Sequence, residues 1–179
     1  MLTGIRLVSE AAEFASRRHN GQTRKGRGEE PYINHLAEVA NILSAVTNGE
    51  DAELVAAGWL HDTIEDSETT HGELAQRFGL RVAGLVEECT DDMSLPKSER
   101  RRKQVEDAAK KSPSARLIKI ADKVSNIRAR IFPNPTEEQR AELADYLAWA
   151  ERVVANLRGG NAMLDALFDE AVANARQAL

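Results

Sequence analysis

The spacing of apolar residues is the feature of this 179-residue sequence that most limits its fold. In almost every segment apolar residues recur at intervals of three and four, which is the period of an amphipathic α-helix. Clear examples are Val8, Ala11, Ala12 and Ala15; Leu54, Ala57, Leu60 and Ile64; and Val82, Leu85, Val86 and Cys89. Alternating valine or isoleucine runs bounded by hairpin turns, the mark of strands, are absent. The pattern predicts an all-α fold of about eight helices, one of them over residues 52–64.

Helix stop and start signals separate these segments. Stretches rich in Gly, Pro, Asn and Ser lie at 20–32, 47–51, 112–115 and 132–138, and Thr70 and Glu73 have the spacing of a capping box. No segment repeats another, and no low-complexity linker divides the chain. We therefore predict one domain over residues 1–179, built as a helical bundle.

Composition excludes several classes of protein. The longest apolar run, LVAAGWL, is far too short to cross a bilayer, and the N-terminal residues lack the uninterrupted hydrophobic stretch of a secretory signal. We therefore predict a cytoplasmic protein with no membrane partner. Cys89 is the only cysteine, so any metal must be held by His, Asp or Glu.

The charge distribution is more informative than the total. The net charge of −5 argues against a nucleic-acid-binding protein, since such domains are usually basic overall. Basic side chains nevertheless gather within residues 17–27, 97–103 and 116–130. Brought together, these runs would attract an anion, although each is also typical of a solvated helix face.

The segment GWLHDTIEDSETTH, residues 58–71, concentrates histidines and acids. His61 lies beside the apolar stripe of the predicted helix, and Asp62 lies about one turn from Glu65 and Asp66 if the helix continues. Three converging carboxylates repel one another, and a bound cation would turn that repulsion into coordination. The alternative is a frayed helix end with solvated acids and one packed histidine.

Two further segments favour the metal site. His35 begins an amphipathic helix, and Asp122 interrupts a very apolar helical stripe. A buried carboxylate needs a partner, and Lys119, Lys123 or Asn126 would also serve. Together, however, two histidines and two aspartates from three helices form a mixed nitrogen and oxygen set that suits a divalent metal.

The order His35, His61-Asp62, Asp122 resembles the metal-dependent HD-domain phosphohydrolases. The motifs RKGRGEEPYINH, HDTIED, EECTDD and LIKIADKVSNIR are similar to the hydrolase half of the RelA/SpoT homologues, and within them to the small alarmone hydrolases of the Mesh1 type. This resemblance extends from about Ala11 to the region of Trp149. It implies an HD-type fold and a 3′-pyrophosphohydrolase that converts guanosine tetraphosphate or pentaphosphate into GDP or GTP and pyrophosphate.

The resemblance also implies roles for individual residues. It makes His35, His61, Asp62 and Asp122 the ligands of one divalent ion, usually Mn²⁺ in this family. It gives Glu65 and Asp66 the handling of the attacking water and its proton. It places Arg24 and Lys25 around the nucleotide base, and Tyr32, Lys97, Asn126 and Tyr146 at the sugar or phosphates. Ser125 departs from the histidine or aromatic residue that many relatives have before the asparagine.

Several alternatives stay open at this point. The same scaffold would suit another phosphatase activity, such as removal of the 2′-phosphate of NADPH, or a catalytically silent module that binds nucleotide. Formation of a homo-oligomer is also left open. Outside the motifs, we predict that His19 and His71 are surface or capping residues and that Cys89 belongs to the core, while Tyr146 is equally compatible with simple packing.

Overall fold

A computed structural model describes residues 2–24 and 30–179 of the chain. Across these residues the structure is helical, and the all-α prediction is confirmed. The α-helices are α1 (Gly4–Arg18), α2 (Ile33–Val46), α3 (Ala52–Leu60), α4 (Thr63–Asp66), α5 (His71–Phe78), α6 (Leu80–Cys89), α7 (Lys97–Asp107), α8 (Pro113–Arg128), α9 (Glu137–Ala155) and α10 (Ala162–Gln177). A short 3₁₀ segment, Ala108–Lys110, follows α7. None of the helices in the described ranges is long and apolar enough to cross a membrane.

Helix α3 lies at the centre of the bundle. It packs against α1, α2, α6 and α8, and its buried residues cover nearly its whole circumference. A helix that is apolar on all sides requires neighbours on all sides. The elements that carry His35, His61 and Asp122 are therefore all in contact with one central helix.

Gly58 allows α2 and α3 to approach closely. A Cβ atom at this position would lie 2.6 Å from Cδ1 of Leu43 and 3.4 Å from the backbone of Ala40, both in α2. The shorter distance would force the buried side chain of Leu43 to move, whereas the longer one is an ordinary van der Waals contact. The absence of a side chain at residue 58 thus allows the end of α3 to lie against the second half of α2.

Helix termini follow the local signals in the sequence. The side chains of Asp51, Thr70, Ser112 and Asn161 each accept a hydrogen bond from a backbone N–H in the first turn of the helix they cap. Glu73 departs from the predicted capping box, because its carboxylate pairs with Arg18 of α1. Only the Thr70 half of the capping box therefore forms, and the carboxylate of Glu73 instead links α5 to α1 through Arg18.

Candidate metal centre and adjoining cleft

The helix predicted over residues 52–64 is interrupted at the His61-Asp62 pair, and this part of the prediction is wrong. Helix α3 ends at Leu60, Asp62 has φ −102° and ψ 0°, and the single turn α4 follows. Two side chains bind carbonyls of the last turn of α3: His61 Nδ1 lies 2.8 Å from Gly58 O, and the Thr63 hydroxyl donates to Leu60 O at 2.7 Å. Carbonyls at a helix end need such partners, so the break stabilises the placement of His61.

The structure brings the four predicted metal ligands together. His35 Nε2 lies 3.4 Å from both Asp62 Oδ2 and Asp122 Oδ1. His61 Nε2 lies 3.1 Å from Asp62 Oδ2 and 3.9 Å from Asp122 Oδ1. Ligand atoms of His35, His61 and Asp62 lie within 4.8 Å of one another, and Asp122 Oδ1 lies next to both imidazoles. We call these four side chains the candidate metal centre.

The His61 ring is oriented for coordination. A carbonyl can only accept, so Nδ1 carries the proton shared with Gly58 and Nε2 is the nitrogen that faces Asp62 and Asp122. This buried Nε2 has no hydrogen-bond partner of its own. A divalent cation would suit this nitrogen, because a neutral imidazole coordinates a metal through one ring nitrogen while the other ring nitrogen donates to a carbonyl.

A proton competes for the same nitrogen. Burial on its own lowers the pKa of His61, but the carboxylates of Asp62 and Asp122 outweigh burial and raise the pKa well above its ordinary value. Ligand imidazoles must be neutral to bind a metal. Acid conditions are therefore expected to weaken metal binding at this centre.

The His35 ring is oriented by side chains instead of a carbonyl. Its Nδ1 lies 2.9 Å from the hydroxyl oxygen of Ser125, and that hydroxyl donates to Glu38 Oε2 at 2.6 Å. With the single hydroxyl proton directed to Glu38, Nδ1 donates to Ser125, and Arg24 Nη2 lies 3.3 Å from the same ring nitrogen. Arg24 donates to the same hydroxyl oxygen at 2.8 Å and to the Ser125 carbonyl at 2.9 Å. Nε2 of His35 is consequently the nitrogen left to face the candidate metal centre.

Asp122 is held through both carboxylate oxygens. Lys123 donates to Oδ2 at 2.8 Å, and the side-chain amide of Asn126 donates to Oδ1. Burial opposes ionisation, but Lys123 and the two histidines outweigh it and keep the pKa of Asp122 well below its ordinary value. Lys119, an alternative partner from the sequence, donates instead to the carbonyl of Cys89 at 2.9 Å. Asp122 is therefore hydrogen bonded to Lys123 and Asn126, and its Oδ1 also lies next to the two histidines.

Tyr32 orients the remaining ligand. Its hydroxyl donates to Asp62 Oδ2 at 2.6 Å, the oxygen that also lies nearest to the two histidines. Burial, followed by the charge of Asp62, raises the pKa of Tyr32, so the hydroxyl remains a donor at neutral pH. The predicted substrate role of Tyr32 stays a prediction, and the structure adds a contact that aims Asp62.

Glu65 and Asp66 lie on the turn that follows the histidine-aspartate pair. Burial raises the pKa of Glu65 to about 7, with a further contribution from the carboxylate of Asp62. Its Oε1 accepts a hydrogen bond from the backbone of Asp91 at 2.5 Å. The same two causes raise the pKa of Asp66. A carboxylate that titrates near neutral pH is well matched to accept a proton from water.

The substrate-binding residues predicted from the sequence fall into two groups. Arg24, Tyr32 and Asn126 join Asp66 in lining a cleft of about 420 Å³, which we call the metal-side cleft. Lys97 and Tyr146 line other cavities, on the far side of Arg130. Lys25 lies outside the described residues. Arg24 is only 8% exposed. It would therefore contact a nucleotide while its hydrogen bonds to Ser125 stay in place.

His19 was predicted to be a surface or capping residue: it is the C-cap residue of α1, as predicted, but it does not lie at the surface. It is buried, its ring stacks on Tyr32 with centroids 5.2 Å apart, and its Nδ1 lies 2.7 Å from the side-chain amide oxygen of Gln22. Gln22 in turn donates to the backbone of Asp66 at 2.8 Å. Gln22, Tyr32 and Asp66 line the metal-side cleft, and the contact between Gln22 and Asp66 carries no short-range signal in the sequence. Cys89, by contrast, is buried in the core as predicted.

The fold and this arrangement of ligands correspond to one class of protein. Residues 11–149 match the model of the HD domain family, so the chain belongs to that family and the predicted membership is confirmed.

Curated relatives narrow the class. The chain is 44% identical over 171 residues to guanosine-3′,5′-bis(diphosphate) 3′-pyrophosphohydrolase MESH1 of Xenopus tropicalis, with 94% of each chain covered. It is 46% identical over 158 residues to the MESH1 protein of Homo sapiens, with 87% of each covered. The solved structure of a metazoan orthologue of SpoT, which hydrolyses ppGpp and plays a role in starvation responses, superimposes with a TM-score of 0.87 at 39% identity, covering 100% of both chains.

Proposed function

We propose that this protein is a metal-dependent 3′-pyrophosphohydrolase of guanosine tetraphosphate and pentaphosphate. The observation that carries the proposal is the convergence of His35, His61, Asp62 and Asp122, with Glu65 and Asp66 on the adjacent turn. Relatives that share more than two fifths of its residues over nearly their full length are named for this reaction. The products would be pyrophosphate and GDP or GTP.

The four side chains of the candidate metal centre would hold one divalent ion, and we propose Mn²⁺. Such an ion polarises a phosphoryl oxygen and makes water a better nucleophile near neutral pH. The mixed nitrogen and oxygen donor set suits a first-row divalent ion. The fixed tautomers of His35 and His61 support the same assignment, because each ring presents its Nε2 to the centre.

Glu65 and Asp66 would manage protons. In the reaction, the oxygen of water forms a bond to the phosphorus that carries the ribose 3′ oxygen, and the bond between that phosphorus and the 3′ oxygen breaks. Glu65, with a pKa of about 7, would take the proton from water and so supply one for the leaving oxygen. Asp66, the next residue along the turn, would orient the water.

The remaining predicted residues would hold the nucleotide. We propose that Arg24, Lys25, Tyr32 and Asn126 contact it on the metal-side cleft, and that Lys97 and Tyr146 contact it beyond Arg130. An intracellular nucleotide substrate also favours the cytoplasmic location expected from the sequence.

Activity and metal content together test this proposal. The purified protein should be incubated with Mn²⁺ and a panel of guanosine tetraphosphate, other 3′-diphosphorylated nucleotides and NADPH. We expect pyrophosphate release from the guanosine substrates, and loss of both activity and bound metal in Asp122→Ala, because that change removes one ligand and leaves Lys123 and the side-chain amide of Asn126 without their acceptor. Elemental analysis measures the metal, and circular dichroism shows whether the helices remain.

Either of two results would overturn the proposal. Release of phosphate from NADPH without cleavage of any 3′-diphosphate would assign a different reaction to the centre. Full metal content and full activity in folded Asp122→Ala would remove this residue from the metal site. As a matched control, Asp169→Ala changes an aspartate of α10 that forms an exposed ion pair with Arg158, and it should behave as wild type.

A further inference from the structure

A second cavity, of about 190 Å³, lies between α7, the C-terminal end of α8 and α9. Four cationic side chains line it, while Asp91 is its one lining carboxylate among the described residues. The cations are Lys97, Arg100, Arg101 and Arg130. We call this space the basic cavity.

Three of the four cations have no carboxylate partner within residues 2–24 and 30–179. Arg101 pairs with Asp145 at 2.5 Å. Arg100 donates to the carbonyl of Leu95 at 2.8 Å, and Arg130 donates to the carbonyl of Asn126 at 2.6 Å. Four cations set against the carboxylates of Asp91 and Asp145 leave an excess of positive charge in a concave space, and such an excess favours an anionic ligand.

Two buried polar atoms of the cavity also lack partners. Tyr146 is 5% exposed, and its hydroxyl has no hydrogen bond. The side-chain amide of Gln104 donates to Asp91, but its oxygen has no donor. Unpaired buried polar groups are costly. A phosphate oxygen would accept from Tyr146, and a sugar hydroxyl would donate to Gln104.

Aromatic rings hold two of the arginines in place. The guanidinium carbon of Arg130 lies 3.9 Å from the centroid of the Tyr146 ring, and that of Arg101 lies 4.9 Å from the Trp149 ring. Such stacking favours a fixed orientation of the guanidinium plane. A preorganised arginine loses less side-chain entropy when it binds a phosphate.

Helix α8 relates this cavity to the candidate metal centre. Asp122, Asn126 and Arg130 follow one another at intervals of four residues, and each is hydrogen bonded to the next. Two helical turns separate the backbones of Asp122 and Arg130 by ~12 Å. Arg130 lines both the metal-side cleft and the basic cavity. The two spaces therefore adjoin at Arg130, and an anion in the basic cavity would lie apart from a phosphoryl group beside the metal ligands.

We propose that the basic cavity binds the 5′-diphosphate of the nucleotide whose 3′-diphosphate is cleaved, with Arg101 and Arg130 as phosphate-binding residues. The inference rests on the proposed function, since it requires a substrate that is phosphorylated at both ends of one ribose. Tyr146 donates to the same 5′-diphosphate. The cavity thereby selects nucleotides that carry a 5′ phosphate group.

Paired substrates test the assignment. Arg101→Met and Arg130→Met keep an apolar stem over the aromatic ring and remove the charge, and Tyr146→Phe removes only the unpartnered hydroxyl. Each arginine variant should raise KM for guanosine 3′,5′-bis(diphosphate) by ~10- to 100-fold, the usual effect of losing a hydrogen bond to a charged group. KM for guanosine 3′-diphosphate with a free 5′-hydroxyl should stay unchanged, as should kcat for both substrates. Inhibition by GDP should weaken, and inhibition by pyrophosphate should not.

Arg102→Met is the matched control, because Arg102 lies on the same helix and pairs with Glu99 and Glu106. Equal changes for both substrates, no change for either, or weaker inhibition by pyrophosphate instead of GDP would each overturn the assignment. If the wild-type protein cleaves neither substrate, the proposed function fails. Calorimetric titration with GDP and with guanosine then tests the basic cavity separately. Tighter binding of GDP than of guanosine, lost in both arginine variants, supports the 5′-diphosphate assignment. Equal binding of GDP and guanosine overturns the assignment.

Discussion

The candidate metal centre and the basic cavity differ in what satisfies their polar groups. Around the centre, other protein groups hydrogen bond to the candidate ligands. The Gly58 carbonyl pairs with His61, the Ser125 hydroxyl with His35, and the Tyr32 hydroxyl with Asp62. In the basic cavity, the hydroxyl of Tyr146 and the amide oxygen of Gln104 have no partner. The first region is built to hold a small ion in a fixed geometry, whereas the second is completed by a larger ligand.

The two histidines show the same contrast on a smaller scale. His61 is oriented by a backbone carbonyl, which no substitution of a side chain removes directly. His35 is oriented by Ser125 and Glu38, which lie on α8 and α2. The geometry of His35 therefore depends on side chains that can be changed one at a time.

The largest effect is expected at Glu65. If it accepts a proton from water, Glu65→Gln should lower turnover by ~10²- to 10⁴-fold while metal content stays normal. In the wild type, a carboxylate accepts protons only when ionised, so turnover should fall as the pH falls through about 7, the pKa of Glu65. The measurement is kcat against pH with saturating metal, because protons also compete for His61.

The fall in kcat below about pH 7, the acidic limb of the pH profile, distinguishes protonation of Glu65 from loss of metal. In Glu65→Gln the residual activity should lose this limb, since the amide does not titrate. A limb near pH 7 that persists unchanged in Glu65→Gln would assign it to another group. Unreduced turnover would remove Glu65 from the reaction.

An intermediate effect is expected from the groups behind His35. Ser125→Ala should weaken metal binding by ~10- to 100-fold, the usual consequence of removing the partner of a metal-bound histidine. Glu38→Gln should have a smaller effect, because the amide oxygen can still accept from Ser125. Calorimetric titration of the metal-free protein with Mn²⁺ measures both.

Ser114→Ala provides the control for this series, since Ser114 lies in the first turn of the same helix. It should bind metal as the wild type does. Equal affinity in Ser125→Ala and Ser114→Ala would show that the tautomer of His35 does not need the hydroxyl.

The smallest effect is expected from substitutions of the only two tyrosines of the chain. Tyr32→Phe removes a hydroxyl that donates to a carboxylate, and should lower the free energy of unfolding of the metal-free protein by ~1.5–3 kcal/mol. Tyr146→Phe removes a hydroxyl without a partner, and should leave that free energy unchanged or slightly higher. Chemical denaturation of both variants makes the comparison; a larger loss in Tyr146→Phe would contradict the difference between the two regions.

Local patterns in the sequence were sufficient to predict the helical class, and they supplied the candidate metal ligands. Helical periodicity is a property of neighbouring residues, and it predicted the segments that became α3, α6 and α8. An isolated carboxylate in an apolar stripe, Asp122, signalled a polar partner for the same reason. The ordered His35, His61-Asp62 and Asp122 motifs identified the family, which the match to residues 11–149 confirms.

Other features depend on contacts between residues far apart in the chain. The break after Leu60 differs, because His61 and Thr63 hydrogen bond to carbonyls only three residues earlier, and apolar spacing does not encode these local contacts either. His19 is buried because Tyr32 covers its ring, and the His35 tautomer is set by Ser125, 90 residues away. Arg101, Arg130 and Tyr146 meet only when α7, α8 and α9 are packed together. Tertiary structure decides such features because burial and hydrogen-bond partners are properties of the assembled bundle, whereas periodicity belongs to each helix alone.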